Sequence, residues 1–165
     1  MTLQTPLEIT GDLLVSELWA RDVRFIMGQK PNHPPTLDPA QLIAALAESN
    51  EARLGMSLIP LFLQYPQYAA RVQAIAARLD SSARLLLQCY YTAAIWLEQK
   101  YLLRKASLPD LFSEELGLAF SNNPDENLRA LGKRHQELSG ERINWLGTYE
   151  HAADVWLKEM ELQSA

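Results

Sequence analysis

The side chains with the most chemical reach in this chain are three histidines, His33, His135 and His151, and one cysteine, Cys89. Zinc hydrolysis of the His-Glu-x-x-His kind needs two histidines four apart on one helix, and none are so spaced. A carboxylate-bridged di-iron bundle needs Glu-x-x-His on two helices, a spacing that occurs nowhere here. His151 and Asp154 stand three apart in a helical stretch and could share one ligand face. One such pair is half a site, so it is expected to face solvent, and no metal is assigned. His135 falls on an apolar stripe with Leu128, Leu131 and Leu138. That predicts a histidine at the edge of a core, with one ring nitrogen satisfied by a neighbour. A buried base or pH-sensitive contact is the functional alternative. Cys89 has Gln88, Tyr90 and Tyr91 beside it and no cation to favour a thiolate, so it reads as packing. No serine sits in a G-x-S-x-G context, and the seven glycines form neither phosphate-cradling pattern. No catalytic residue and no cofactor follows from these residues.

Three sets of residues could instead bind. Arg84, Gln88, Thr92 and Gln99 form the one polar line on an otherwise apolar helix, as a groove lining, as hydrogen bonds across a helix pair or, in the simpler reading, as a solvent edge. Arg71 and Arg78, seven apart, share one helix face and could meet an anionic partner; a solvated face explains them equally. Lys100, Arg104 and Lys105 close a helix, where the macrodipole favours cations without any function. Trp145 and Trp156 lie on the last amphipathic stretch and could anchor an interface. The rival reading puts them in the domain's own core, favoured for Trp156 and left open for Trp145.

The elements that must position these residues are helical. Ser82 to Arg104 is apolar almost all the way round, with Leu86, Tyr90, Ala93, Leu97 and Tyr101 as its main stripe. A helix of that kind has to be wrapped by others. Around it the pattern predicts a helix over Asp12–Met27, where Val15 and Val23–Ile26 leave a strand as the alternative. Asp38-Pro39 starts the next helix as N-cap and N1. Pro60 lacks the N–H that would bond back to Met56 and should kink or split the chain between Met56 and Leu61. Further helices are expected from Pro66 to Leu79, over Pro109–Gly117, from Asn123 to Ser139 and over Glu141–Leu162. Residues 1–11 read as an irregular arm and residues 30–37, with three prolines in Lys30–Pro35, as a linker. The expected fold is a single all-α domain of about seven helices around one central helix.

The chain has 165 residues, 48% of them hydrophobic, enough for one sizeable core. Its net charge of −5 disfavours nucleic acid as the main partner. The charge is uneven. Arg71 to Lys105 holds six basic residues against two acidic, and Ala106 to the end five basic against eleven acidic. Basic and acidic helices should therefore face each other within one fold or across a dimer. The opening MTLQTPLEIT lacks the basic start and apolar run of a secretory signal. Gln88, Glu98 and Lys100 interrupt the longest apolar stretch, so no membrane span is expected. Together these features predict a cytoplasmic, non-enzymatic helical protein that binds another protein or itself. The alternatives are a regulator touching nucleic acid or a nucleotide-handling partner through Arg71 and Arg78, and an enzyme with an unfamiliar helical site.

Overall fold

The computed structural model describes residues 8–102, 107–119 and 121–164, is 70% helical and has no strand among them. The first helix, α1 (Gly11–Ala20), starts where the Thr10 hydroxyl accepts the Leu13 N–H at 3.1 Å. It ends well short of the expected Met27. Asp22 adopts a left-handed φ of 59°, and the N–H groups of Val23 and Asp22 bond back to the carbonyls of Leu18 and Trp19, each at 2.9 Å. That closure satisfies the last carbonyls of α1 and turns Val23 fully into the core. The β-branched Val23–Ile26 run therefore packs as a loop and not as a strand.

Residues 30–37 are irregular, as expected, but they are pinned. The Glu17 carboxylate accepts the N–H of Thr36 at 2.9 Å and of Leu37 at 3.2 Å, and also the Thr36 hydroxyl. Arg21 lies 2.8 Å from Glu17 and donates to the Leu37 carbonyl at 2.6 Å. Burial alone would raise the Glu17 pKa, but the bonds from Thr36, Arg21 and Leu37 outweigh it and hold the carboxyl below its ordinary value. A buried ion pair is tolerable here because its remaining donors and acceptors are satisfied.

Asp38 and Gln41 form a reciprocal capping box at the head of α2 (Pro39–Glu48). The chain then breaks at Ser57, between α3 (Ala52–Met56) and α4 (Leu58–Gln64), inside the interval that Pro60 indicated. Leu58 to Leu63 are all buried in the chain's own core. A 3-10 turn, Pro66–Tyr68, leads into α5 (Ala69–Arg78). Next comes α6 (Ser81–Leu102), the expected central helix; its forecast end near Ala106 lies outside the described residues. Every residue from Leu87 to Glu98 is buried, wrapped by α2, α4, α5, α8 (Pro124–Ser139) and α9 (Trp145–Ser164). The short α7 (Ser113–Leu116) occupies only the second half of its forecast span. Helix α9 starts later than Glu141 because Asn144 caps it, its side chain accepting the Gly147 N–H at 2.9 Å. Of the forecast arm, residues 1–7 lie outside the described residues, and Gly11 already belongs to α1.

Candidate functional site

The first turn of α6, the last turns of α8 and the approach to α9 enclose a depression of about 320 Å³. Leu85, Leu86, Leu138 and Trp145 give it an apolar lining, with Ser81, Ser82, Ser139 and Glu141 beside them. Leu138 is exposed, and so is Ile143 in the neighbouring turn. The turn exists because Gly140 takes a left-handed φ of 71° and closes α8, its N–H bonding to the Gln136 carbonyl. His135 reaches the same depression from below.

His135 is held on three sides. Its Nδ1 lies 2.6 Å from the Tyr149 hydroxyl. Its ring stacks on Trp145 with centroids 3.6 Å apart, and Tyr90 meets it edge-on at 6.0 Å. Burial lowers the imidazole pKa to about 4, so the ring is neutral at pH 7. Burial likewise pushes the Cys89 thiol up to about 12 and the hydroxyls of Tyr90 and Tyr149 well above their ordinary range. None of these groups is poised to ionise, so none is a ready nucleophile or a base matched to pH 7. One ring nitrogen of His135 is satisfied by a neighbour, as expected, but the ring is 2% exposed and lies inside the core rather than at its edge. Trp145 Nε1 is buried without a hydrogen-bond partner.

The polar line of α6 is not the solvent edge that its spacing suggested. Arg84 turns its guanidinium onto the end of α5, donating to the carbonyls of Ala76 at 2.8 Å and Leu79 at 3.1 Å. It caps a neighbouring helix, which accounts for the residue without a ligand. Gln88 and Thr92 are buried, and the Thr92 hydroxyl donates to the Gln88 carbonyl at 2.7 Å. The segment after α6 lies on this side: Tyr91 donates to the Pro109 carbonyl at 2.5 Å, and Phe112 packs edge-on against Tyr91. Gln99 is half-buried. Arg84 and Gln88 of this line border a second depression of about 290 Å³, shared with Gln73, Phe112 and Glu115.

Arg71 and Arg78 are both exposed on α5, with no ion pair among the described residues. Trp156 is core: its Nε1 donates to Gln64 Oε1 at 3.2 Å, and 8% of it is exposed. Trp145, at 7% exposed, is packed in the core as well, with one edge lining the depression above His135. Trp145 meets Tyr90 of α6 edge-on, and Trp156 ties α9 to α4 through Gln64. His151 and Asp154 are exposed, and no group of three potential ligands for a metal ion exists among the described residues.

Two buried carboxylates escaped the sequence reading. Glu17 holds the Pro-rich segment, and Glu98 accepts the Ser107 N–H at 2.6 Å and its hydroxyl at 2.7 Å. Their signal was present, since each is a lone acid inside an apolar helical run. The complementary charges of the basic middle and the acidic last third do meet inside the chain: Lys100 pairs with Asp125 at 2.6 Å and Glu150 at 2.8 Å. Among the described residues no helix is long and apolar enough to cross a membrane. No family model, curated protein or solved structure matches this chain.

Proposed function

We propose that this protein works by binding another protein, and that the depression above His135 receives one apolar side chain of that partner. One observation carries the reading: Leu138 stands exposed on the rim of an opening lined by Leu85, Leu86 and Trp145. What the opening offers a ligand is an apolar floor, three serine hydroxyls and one carboxylate, Glu141. That combination suits an aliphatic or aromatic anchor with a cation beside it. A cytoplasmic setting fits a free, buried Cys89 thiol and a chain with no disulfide among the described residues.

Selection of a random peptide library on the purified chain tests this reading. Enriched peptides are expected to share an apolar residue next to Lys or Arg, and to lose binding to Leu138→Asp. A library that yields no common pattern, or peptides indifferent to Leu138, would overturn it. The Arg71–Arg78 face is the site of the nucleic-acid alternative. No observation beyond its exposure favours it.

A further inference from the structure

Met27 is the most exposed large apolar residue described, at 94%, yet the loop carrying it is tightly built. Trp19 Nε1 donates to the Ile26 carbonyl at 2.8 Å. A Cβ on Gly28 would come within 2.6 Å of Trp19 Nε1 and 2.8 Å of Val15 Cγ1, so the backbone there lies directly on α1. Gln64 and Tyr65 fix the Arg21 carbonyl, Gln64 also binds that of Asp22, and Phe25 meets the His151 ring edge-on. Fixing a loop costs conformational entropy, and presenting an apolar tip to water returns nothing to the fold. A pre-organised methionine is what an interface uses, because the thioether adapts to irregular pockets.

The same chain carries a matching socket. At the start of α1 a depression of about 400 Å³ is lined by Ile9, Leu14 and Ala45 and rimmed by Glu48 and Glu51. Neither glutamate has an ion pair among the described residues. The Met27 loop has the opposite sign: Arg24 and Lys30 share a single carboxylate, Asp22. Knob and socket both lie against α1, the first on its second half and the second at its N-terminus. A two-fold arrangement that sets each loop in the other copy's depression would make two identical contacts and close the assembly. We infer that the chain pairs with a second copy of itself, the Met27 loop of each protomer entering the acid-rimmed depression of the other. The contact is separate from the partner site above His135.

Sedimentation of the full chain at rising concentration reads this directly. The expected result is a reversible monomer–dimer equilibrium that Met27→Asp weakens by at least about tenfold. Helicity of that variant, and its melting at concentrations where the wild type is monomeric, should stay unchanged, because in the monomer the side chain is almost wholly in solvent, and so should peptide binding above His135. Met27→Cys mixed with Ser49→Cys in oxidised glutathione should give an intermolecular disulfide that neither variant forms alone. A wild-type chain that stays monomeric throughout, a Met27→Asp variant that dimerises like it, or disulfide formation by Met27→Cys alone would overturn the inference.

Discussion

His135 and Tyr149 share a buried hydrogen bond, Nδ1 to hydroxyl at 2.6 Å, that ties the end of α8 to the second turn of α9. The ring is 2% exposed and its burial disfavours the charged form, so protonation and folding oppose each other. The folded pKa is about 4 against an ordinary 6.5. The unfolded chain thus binds a proton between those values that the folded chain refuses. Stability is complete above about pH 6.5 and falls as the pH drops toward 4, by up to roughly 3 kcal/mol. Urea midpoints measured across this range should show the slope, and His135→Phe should flatten it. An unchanged slope in the variant would mean that His135 is not the titrating group.

The Glu17–Arg21 pair is the second buried liability. Glu17→Gln keeps the shape but leaves Arg21 charged and poorly matched. The expected cost is about 3–5 kcal/mol, as for other broken buried pairs. Because Glu17 also holds Thr36 and Leu37, limited proteolysis should cut residues 30–37 faster in the variant than in the wild type. A loss within about half a kcal/mol, the range of ordinary surface changes, would show that the segment is held by its prolines alone.

Trp145 and Trp156 are now assigned to the core. Each changed to Ala should lower the stability of the monomer by about 3–5 kcal/mol, the range for a large aromatic lost from a packed interior. Thermal melts of the dilute protein read this without reference to any partner. A fully stable Trp145→Ala variant would return that residue to the interface reading.

Lys100 joins α6 to α8 and α9 through Asp125 and Glu150, but it is partly exposed. Burial by itself would lower its pKa; the two carboxylates outweigh that and raise it. Lys100→Met is expected to cost only about 1 kcal/mol, less at high salt, because solvent screens such pairs. A salt-independent loss of several kcal/mol would show the cluster to be sealed from water.

The fold class and the central helix were legible because an all-round apolar run such as Leu85–Leu97 admits few other solutions. Pro60 and the Asp38-Pro39 start were equally legible, since both act through local backbone chemistry. What failed was decided by neighbours. The stop of α1 depends on Asp22 accepting a left-handed φ, a minority conformation for a non-glycine residue. The polar line of α6 changed meaning because Arg84 caps α5 and Phe112 lies beside Gln88 at the second depression, and no spacing within α6 encodes that. The depression above His135 is assembled from three separate elements, so no single stretch announces it. Leu138 was already placed on the apolar stripe of α8; its exposure follows from the chain turning at Gly140 before α9 begins.

The most direct test of binding above His135 is the affinity of a library-selected peptide for two variants. Leu138→Asp changes the rim of the depression, and Leu162→Asp changes an equally apolar, exposed position near the end of α9. Calorimetric titration should show Leu138→Asp binding at least about tenfold more weakly, with Leu162→Asp unchanged. Equal affinity for both variants would contradict a partner site at this depression.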